Sequence, residues 1–364
     1  MTEVILQELN NSDIDWIIAT ATKQKIYPNT VLMRDGNTFN NLYLILEGTV
    51  IATLLQKRSN PLTQAFATLE GTNIPEIEIM RLSRGEIVGE NTFTGFNSRA
   101  ITITALRKGL VLSLPLEELK NKLYQEKGFA ARFYRAIAIL YLNRLQNLLY
   151  RLGRKNFAKS QPVRDVLYIF GQLHDSDLDW AIANGTIEKI PAQTTLIRQG
   201  GPVDALYFLL DGQMKVSLEN NESNPLTNIF ATLEGRESSG KEIINLHKGE
   251  IMGETSFIDG RSPYATVTAV ADSLVLSLAR PILVTKLQQD VGFAARFYQA
   301  ISTLLADKLQ GIISRLSVGR RTYVQGQPLN DQMHYEDEID AKTLEQMSLA
   351  ATRFDWMLER LKVG

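Results

Sequence analysis

The chain is written twice, at a fixed spacing of 164 residues. SDIDW at 12–16 returns as SDLDW at 176–180, and ATLEG at 67–71 returns at 231–235. NPLT from Asn60 returns from Asn224, and GFAARFY at 128–134 returns at 292–298. Because every pair keeps the same offset, no net insertion separates the copies. A repeat this long can enclose its own hydrophobic core, unlike the repeats of about 20–45 residues that stack into solenoids. The 364 residues therefore read as two domains of one fold. The first spans 1–152 and the second 166–320. A polar linker at 153–165 carries Gly153 and Pro162, and 321–364 matches neither copy.

Each copy opens on a short helix with Ser12 and Asp13, or Ser176 and Asp177, placed to cap it. Apolar, β-rich runs follow: LYLILEGTVIATL (42–54) and LYFLLDGQMKVSL (206–218), punctuated by Gly48 and Gly212, then ITITALRKGLVLSL (101–114) and ATVTAVADSLVLSL (265–278). Many short strands at about 8–12-residue spacing predict a sandwich or barrel. Each copy closes in helix, over 115–152 and about 281–316, with Phe129, Phe133, Ile137, Leu140 and Leu145 at helical spacing. Within these helices GFAARFY reads first as a packing motif against the roll and second as an interface. The tail holds an acidic linker (324–340) and an amphipathic helix (341–361) bearing Leu344, Met347, Ala351, Phe354, Leu358 and Leu361. That helix has two possible seats, its own domains or a partner.

Composition narrows the chemistry. With no cysteine there is no disulfide framework, thiolate nucleophile or thiolate metal site. The three histidines, His174, His247 and His334, are scattered without ligand spacing. No nucleophile–base pair, metal cluster or Gly-Lys-Ser phosphate loop is legible, so the expectation is a protein that is not an enzyme and needs no cofactor. A net charge of −1 gives no general attraction to nucleic acid or anionic membrane. The start, MTEVILQELNNSD, has no secretory pattern, and no window reaches 18 uninterrupted apolar residues. AIAILYLNRLQNLLYRL at 136–152 comes nearest and is broken by Asn143 and Arg144. A soluble, cytoplasmic protein without a membrane span is expected.

The stretch GEIVGENTF (85–93), paired with GEIMGETSF (249–257), carries the chemistry. Gly89 permits a tight, positive-φ corner between strand and helix. The unpaired amides near Asn91 and Thr92 suit a phosphate. A carboxylate at Glu90 would repel that phosphate, so it must face something else, such as a sugar hydroxyl. Arg99 offers a planar fork of donors to a phosphate. Both copies resemble cyclic nucleotide-binding domains, the family of catabolite activator proteins and the regulatory subunits of cyclic-AMP-dependent kinase. The resemblance covers about 12–152 and 176–316, and includes VLMRDGNTFNNLYLILEGTV (31–50) and TLIRQGGPVDALYFLLDGQM (195–214). It implies a mainly β fold with α: two tandem β-rolls (double-stranded β-helix, or jelly roll) with flanking helices, to which the C-terminal helix is added.

The resemblance also implies roles. Gly89 is the glycine of a phosphate-binding cassette, Glu90 binds a ribose 2′-hydroxyl, amides near Asn91 and Thr92 meet the phosphate, Arg99 pairs with it, and Ala100 is the small residue that follows. Ile101 stands where the family has alanine. In the second copy Gly253, Glu254, Thr255 and Ser256 keep the turn, but Pro263 stands where the arginine belongs; Arg261, two residues earlier, is a substitute or an ordinary loop arginine. The expectation is a sensor that binds cyclic AMP or cyclic GMP in domain 1, with domain 2 degenerate. It would signal through its C-terminal helices to a protein partner or a second copy. Two alternatives stand: an assembly protein whose rolls bind no nucleotide, and a receptor for a cyclic dinucleotide. A DNA-binding regulator is disfavoured, because the acidic tail has no recognition-helix pattern.

Overall fold

In the computed structural model the described residues are 4–34, 40–55, 76–93, 101–152, 165–218, 241–316 and 341–363. The repeated NPLT…ATLEG segments, Arg99 and Ala100 lie outside them. Contacts divide the chain into two compact units, Met1–Gly153 with Ser302–Leu344, and Arg154–Ile301 with Glu345–Gly364.

Unit 1 begins with helices α1 (Val4–Glu8) and α2 (Asn11–Thr20). Strands β1 (Thr22–Ile26), β2 (Val31–Met33), β3 (Asn41–Glu47), β4 (Thr49–Leu55), β5 (Glu76–Ser83) and β6 (Ile87–Val88) follow. A one-turn 3-10 helix, Glu90–Phe93, precedes β7 (Ile101–Ala105) and β8 (Gly109–Pro115). Two helices close the repeat, α3 (Leu116–Gln125) and α4 (Lys127–Leu152). The strands form two antiparallel sheets, β1-β8-β3-β6 and β2-β7-β4-β5. β7 shows the alternation that half-burial demands: Ile101, Ile103 and Ala105 point into the roll, and Thr102 and Thr104 do not.

Unit 2 repeats this order with α5 (Asp165–Gln172), α6 (Asp175–Asn184), β9 (Thr186–Ile190), β10 (Thr195–Ile197), β11 (Ala205–Asp211), β12 (Gln213–Leu218), β13 (Lys241–His247) and β14 (Ile251–Met252). A second 3-10 turn, Glu254–Phe257, leads to β15 (Thr266–Ala269), β16 (Ser273–Ala279), α7 (Arg280–Gln289) and α8 (Val291–Leu316), whose residues from Ser302 on are counted with unit 1; α9 (Ala341–Arg360) follows. Its sheets run β9-β16-β11-β14 and β10-β15-β12-β13, the same topology eight strands on. Register is conserved as well. Asn41 faces Pro115 in β3/β8, and Ala205 faces Ala279 in β11/β16, each pair offset by the 164-residue repeat. Both rolls are of jelly-roll type, with helices flanking, as expected from the sequence.

The two most literal repeats turn out to be each other's partners. Asp13 of SDIDW caps α2 by accepting from the Asn10 amide, and its carboxylate also takes two hydrogen bonds from Arg132 of GFAARFY at 2.6 and 3.0 Å. Asp177 and Arg296 repeat the fork at 2.7 and 2.9 Å. Trp16 packs edge-on against Phe129 at 5.6 Å, and Trp180 against Phe293 at 5.5 Å. Phe129 stacks on Phe133 at 5.7 Å and Phe293 on Phe297 at 5.9 Å, all buried. GFAARFY is therefore core packing in both units.

One difference is legible in the strands. β11 is buried along its whole length except Asp211, whereas β3 is buried only at Leu42 and Ile45. The outward face of β11 is covered: Phe208 meets Phe170 of α5 at 5.9 Å, and Phe170 meets Phe354 of α9 at 6.0 Å. A strand covered on both faces reads as an unbroken apolar run, as ALYFLL does. The tail helix is thus seated on its own second unit.

Candidate functional site

The Gly-Glu corner is built alike in both units. β6 pairs with β3, Tyr43 opposite Val88, and delivers the chain to Gly89 at φ 99°. A Cβ there would lie 2.9 Å from the Asn41 carbonyl oxygen; at Gly253, φ 87°, it would lie 2.8 Å from that of Ala205. Only glycine satisfies both the left-handed φ and this close approach. The corner is an architectural requirement of the roll before it is anything else.

In unit 1 the next residue turns inward. Glu90 is 4% exposed, and its carboxylate is paired with the guanidinium of Arg144, itself 6% exposed, from α4. Arg144 Nη2 also donates to the Ile87 carbonyl at 2.6 Å, and the guanidinium lies 6.0 Å from the Tyr141 ring. The Tyr141 hydroxyl donates to Asn91 Oδ1 at 2.6 Å. Arg144 Nε is buried with no hydrogen-bond partner among the described residues. Burial pulls the Arg144 pKa down, but Glu90, Glu86 and Tyr141 outweigh it, and the net shift is upward. The Arg144 guanidinium therefore stays charged at any ordinary pH. The Thr92 amide is turned back onto the Gly89 carbonyl at 3.4 Å, closing the 3-10 turn.

Beside this pair lies a small pocket inside the roll. Met33, Ala52, Leu82 and Ile103 supply apolar walls, and Gly89, Glu90, Asn91 and Arg144 form its polar end. Ile101 lines it too, with its branched side chain buried. Gly89, Glu90 and Asn91 are thus brought together on one pocket.

In unit 2 a different arginine holds the corner. Glu254 and Ser256 are buried and Thr255 half-buried; Ser256 Oγ has no hydrogen-bond partner among the described residues. Arg280, the first residue of α7, donates to the Val203 carbonyl at 2.7 Å and to the Ser256 carbonyl at 3.3 Å, with its guanidinium 4.6 Å from the Phe257 ring. Pro263 accepts from the Gly200 amide at 2.9 Å through its carbonyl. Arg261 is engaged by Asp259 in an exposed loop.

Sequence reasoning singled out neither Arg144 nor Arg280. A signal for Arg144 was present: it lies seven residues beyond Ile137, on the apolar stripe of its helix. A cation on a buried face must find a carboxylate or backbone acceptors. Arg280 stands just before Pro281 at a strand–helix junction, where nothing in the pattern marks it.

With that geometry in place, comparison with known proteins is informative. Residues 187–290 match the family model of the cyclic nucleotide-binding domain, from β9 to the end of α7. That stretch is similar to a cyclic nucleotide-binding domain. The match falls on unit 2, where Pro263 stands 164 residues on from Arg99. The cAMP-activated global transcriptional regulator CRP of Salmonella typhimurium is 30% identical over 98 residues, covering 26% of this chain and 39% of that protein. The protein of the same name from Escherichia coli O157:H7 gives the same figures. The chain thus spans about two fifths of the length of these curated relatives. Among solved structures, the regulatory domain of Toxoplasma gondii PKA with cAMP covers 79% of this chain and 89% of its own at 16% identity and TM-score 0.27. The Thermus thermophilus catabolite activator protein covers 41% and 57% at 19% identity and TM-score 0.27.

No described helix is long and apolar enough to cross a membrane. Among the described residues no group of three or more His, Asp or Glu side chains is placed to hold a metal ion.

Proposed function

We propose that this chain is a non-enzymatic regulatory protein that binds a cyclic nucleotide in unit 1 and passes the occupancy of that site on to a protein partner. The observation that carries the reading is the unit 1 pocket, where the glycine, carboxylate and amide-bearing turn of the cassette line one apolar cleft and the sequence supplies Arg99 shortly after. In this reading Glu90 receives a ribose hydroxyl and Arg99 the phosphate. Ala100 leaves room beside it. Unit 2 serves as a scaffold: Arg280 pins its turn, Pro263 replaces the cation, and Arg261 is committed to Asp259.

One observation favours a second reading. The Glu90 carboxylate is already satisfied by Arg144, so the corner is stable with nothing bound, as an assembly module would require. Calorimetric titration of the full chain with cyclic AMP, cyclic GMP and cyclic dinucleotides separates the two. Saturable binding near one per chain, weakened by about 10- to 150-fold in Arg99→Ala, supports the sensor, that range being the loss of one charge-assisted hydrogen bond. Silence from every ligand supports the assembly module, and response to a cyclic dinucleotide alone reassigns the ligand.

A further inference from the structure

The duplication lets one face be compared with its own twin. In unit 2 the tail helix α9 lies over α5 and α6. Its Met357 lines one apolar pocket with Phe170, Leu178 and Phe208, and its Phe354 meets Phe170 at 6.0 Å. Arg353 donates to the Phe170 and Leu173 carbonyls and pairs with Asp175, and Arg360 lies 4.0 Å from Asp179. Asp175, Leu178, Asp179 and Ile182 follow one another at helical spacing, so α9 runs along one face of α6. Under that cover Phe170, Leu178 and Phe208 are at most 4% exposed. Unit 1 keeps the face and leaves it open. The residues 164 positions before Phe170, Leu178, Ile182 and Phe208 are Leu6, Ile14, Ile18 and Leu44. Leu6 is 42% and Ile18 53% exposed, and Ile14 and Leu44 are half-buried. α1 is built as α5 is: the Leu9 amide donates to the Ile5 carbonyl at 3.1 Å, as the Leu173 amide does to that of Ile169. On the rim Asp15 stands for Asp179 and Asn11 for Asp175, both exposed. Apolar side chains exposed singly need no explanation, but these four share one face.

We propose that this face of unit 1 is the docking site of an amphipathic helix from a protein partner, seated as α9 is seated on unit 2. The chain's own tail helix is held by unit 2, so the occupant comes from another protein. The seat defines that helix. Leu6 and Leu44 are smaller than Phe170 and Phe208, so the hollow takes a larger knob than Phe354, and a tryptophan fills it. Two apolar residues follow the knob three and four positions on, as Met357 and Leu358 follow Phe354. A basic residue just before the knob reaches the carbonyls of Leu6 and Leu9, where α1 ends as α5 ends at those of Phe170 and Leu173. A second basic residue, six positions after the knob as Arg360 is after Phe354, pairs with Asp15. The docking site rests on the proposed function only for the existence of a partner, because packing defines it and neither Glu90 nor Arg99 takes part.

The test uses the full chain and a fluorescently labelled peptide of residues 341–361 carrying Phe354→Trp, with the Phe354→Asp peptide as its control, read by fluorescence anisotropy. The Phe354→Trp peptide is expected to bind saturably at one per chain. Binding weakens by about 10- to 150-fold with the control peptide and with Leu6→Asp protein, the value of burying one large apolar side chain. Leu6 and Ile18 are both exposed, so circular dichroism should find either aspartate variant folded, and Ile18→Asp serves where Leu6→Asp does not fold. Absence of binding at about 1 mM peptide overturns the docking site. So does binding that ignores both Leu6→Asp and Ile18→Asp, which means that the peptide has displaced α9 from unit 2. A chain that sediments as a dimer, and as a monomer in Leu6→Asp, makes a second copy the occupant and overturns the partner helix. No nucleotide enters the test. Its failure therefore leaves the unit 1 binding site standing, and silence in the nucleotide titration leaves this face standing.

Discussion

At the scale of single residues, two arginine–aspartate forks join the opening helix of each copy to its closing helix. Asp177 is buried, accepts the His174 amide at 2.8 Å as part of the α6 capping box, and accepts from two nitrogens of Arg296. Replacing it removes a helix cap and leaves a half-buried guanidinium without its partner. Asp177→Ala is expected to cost about 3–5 kcal/mol, measured as a lowered denaturation midpoint with an unchanged slope. A milder pH effect belongs to Asp290. The Lys286 ammonium bonds to it, the Phe293 amide adds a second bond, and together they hold its carboxyl below the usual carboxylate range. A group depressed in the folded state stabilises above its unfolded pKa and loses that contribution as pH falls through the folded value. Asp290→Asn should therefore lower stability near neutrality, converge with wild type in acid and flatten the loss below about pH 4, as equilibrium unfolding at stepped pH would show.

At the scale of elements, α9 is the piece without a counterpart in the repeat. Ala350, Phe354, Met357 and Leu358 form its buried face. Arg353 reaches from it to the Phe170 and Leu173 carbonyls at 2.7 and 2.9 Å, where the last carbonyls of α5 lack helical partners, and pairs with Asp175 at 2.7 Å. Phe354 against Phe170 anchors the contact. Phe354→Ala should destabilise unit 2 by about 3–5 kcal/mol, the usual cost of emptying a buried phenylalanine site, read as an earlier thermal transition. The amphipathic spacing of 341–361 gave away the helix and part of its buried face: Met347, Phe354 and Leu358 are buried, but Leu344 and Ala351 are exposed and Ala350 and Met357 are buried instead, and spacing could not say where that face would sit. The choice was made by Phe170 and Phe208, which unit 2 has where unit 1 has Leu6 and Leu44.

At the scale of the whole molecule, two copies with one topology and one register have diverged at the same corner. Each keeps the glycine because the carbonyl of the facing strand leaves no room for a Cβ, and each keeps a glutamate that buries itself. They differ in the arginine that holds the turn, from the following helix in unit 1 and from the roll's own end in unit 2. The 164-residue offset, the capped helices, the strand runs and the Gly-Glu turn determined the duplicated roll, because short-range periodicity and turn chemistry are local properties of a chain. Burial of Phe129 and Phe133 followed from helical spacing in the same way. Which side chain meets Glu90, and which Glu254's turn, depends on residues 54 and 24 positions away in sequence, brought close only when sheet and helix close on each other. Pairing of buried charge is settled by that closure, since a cation on an apolar stripe announces that it needs a partner and not which one.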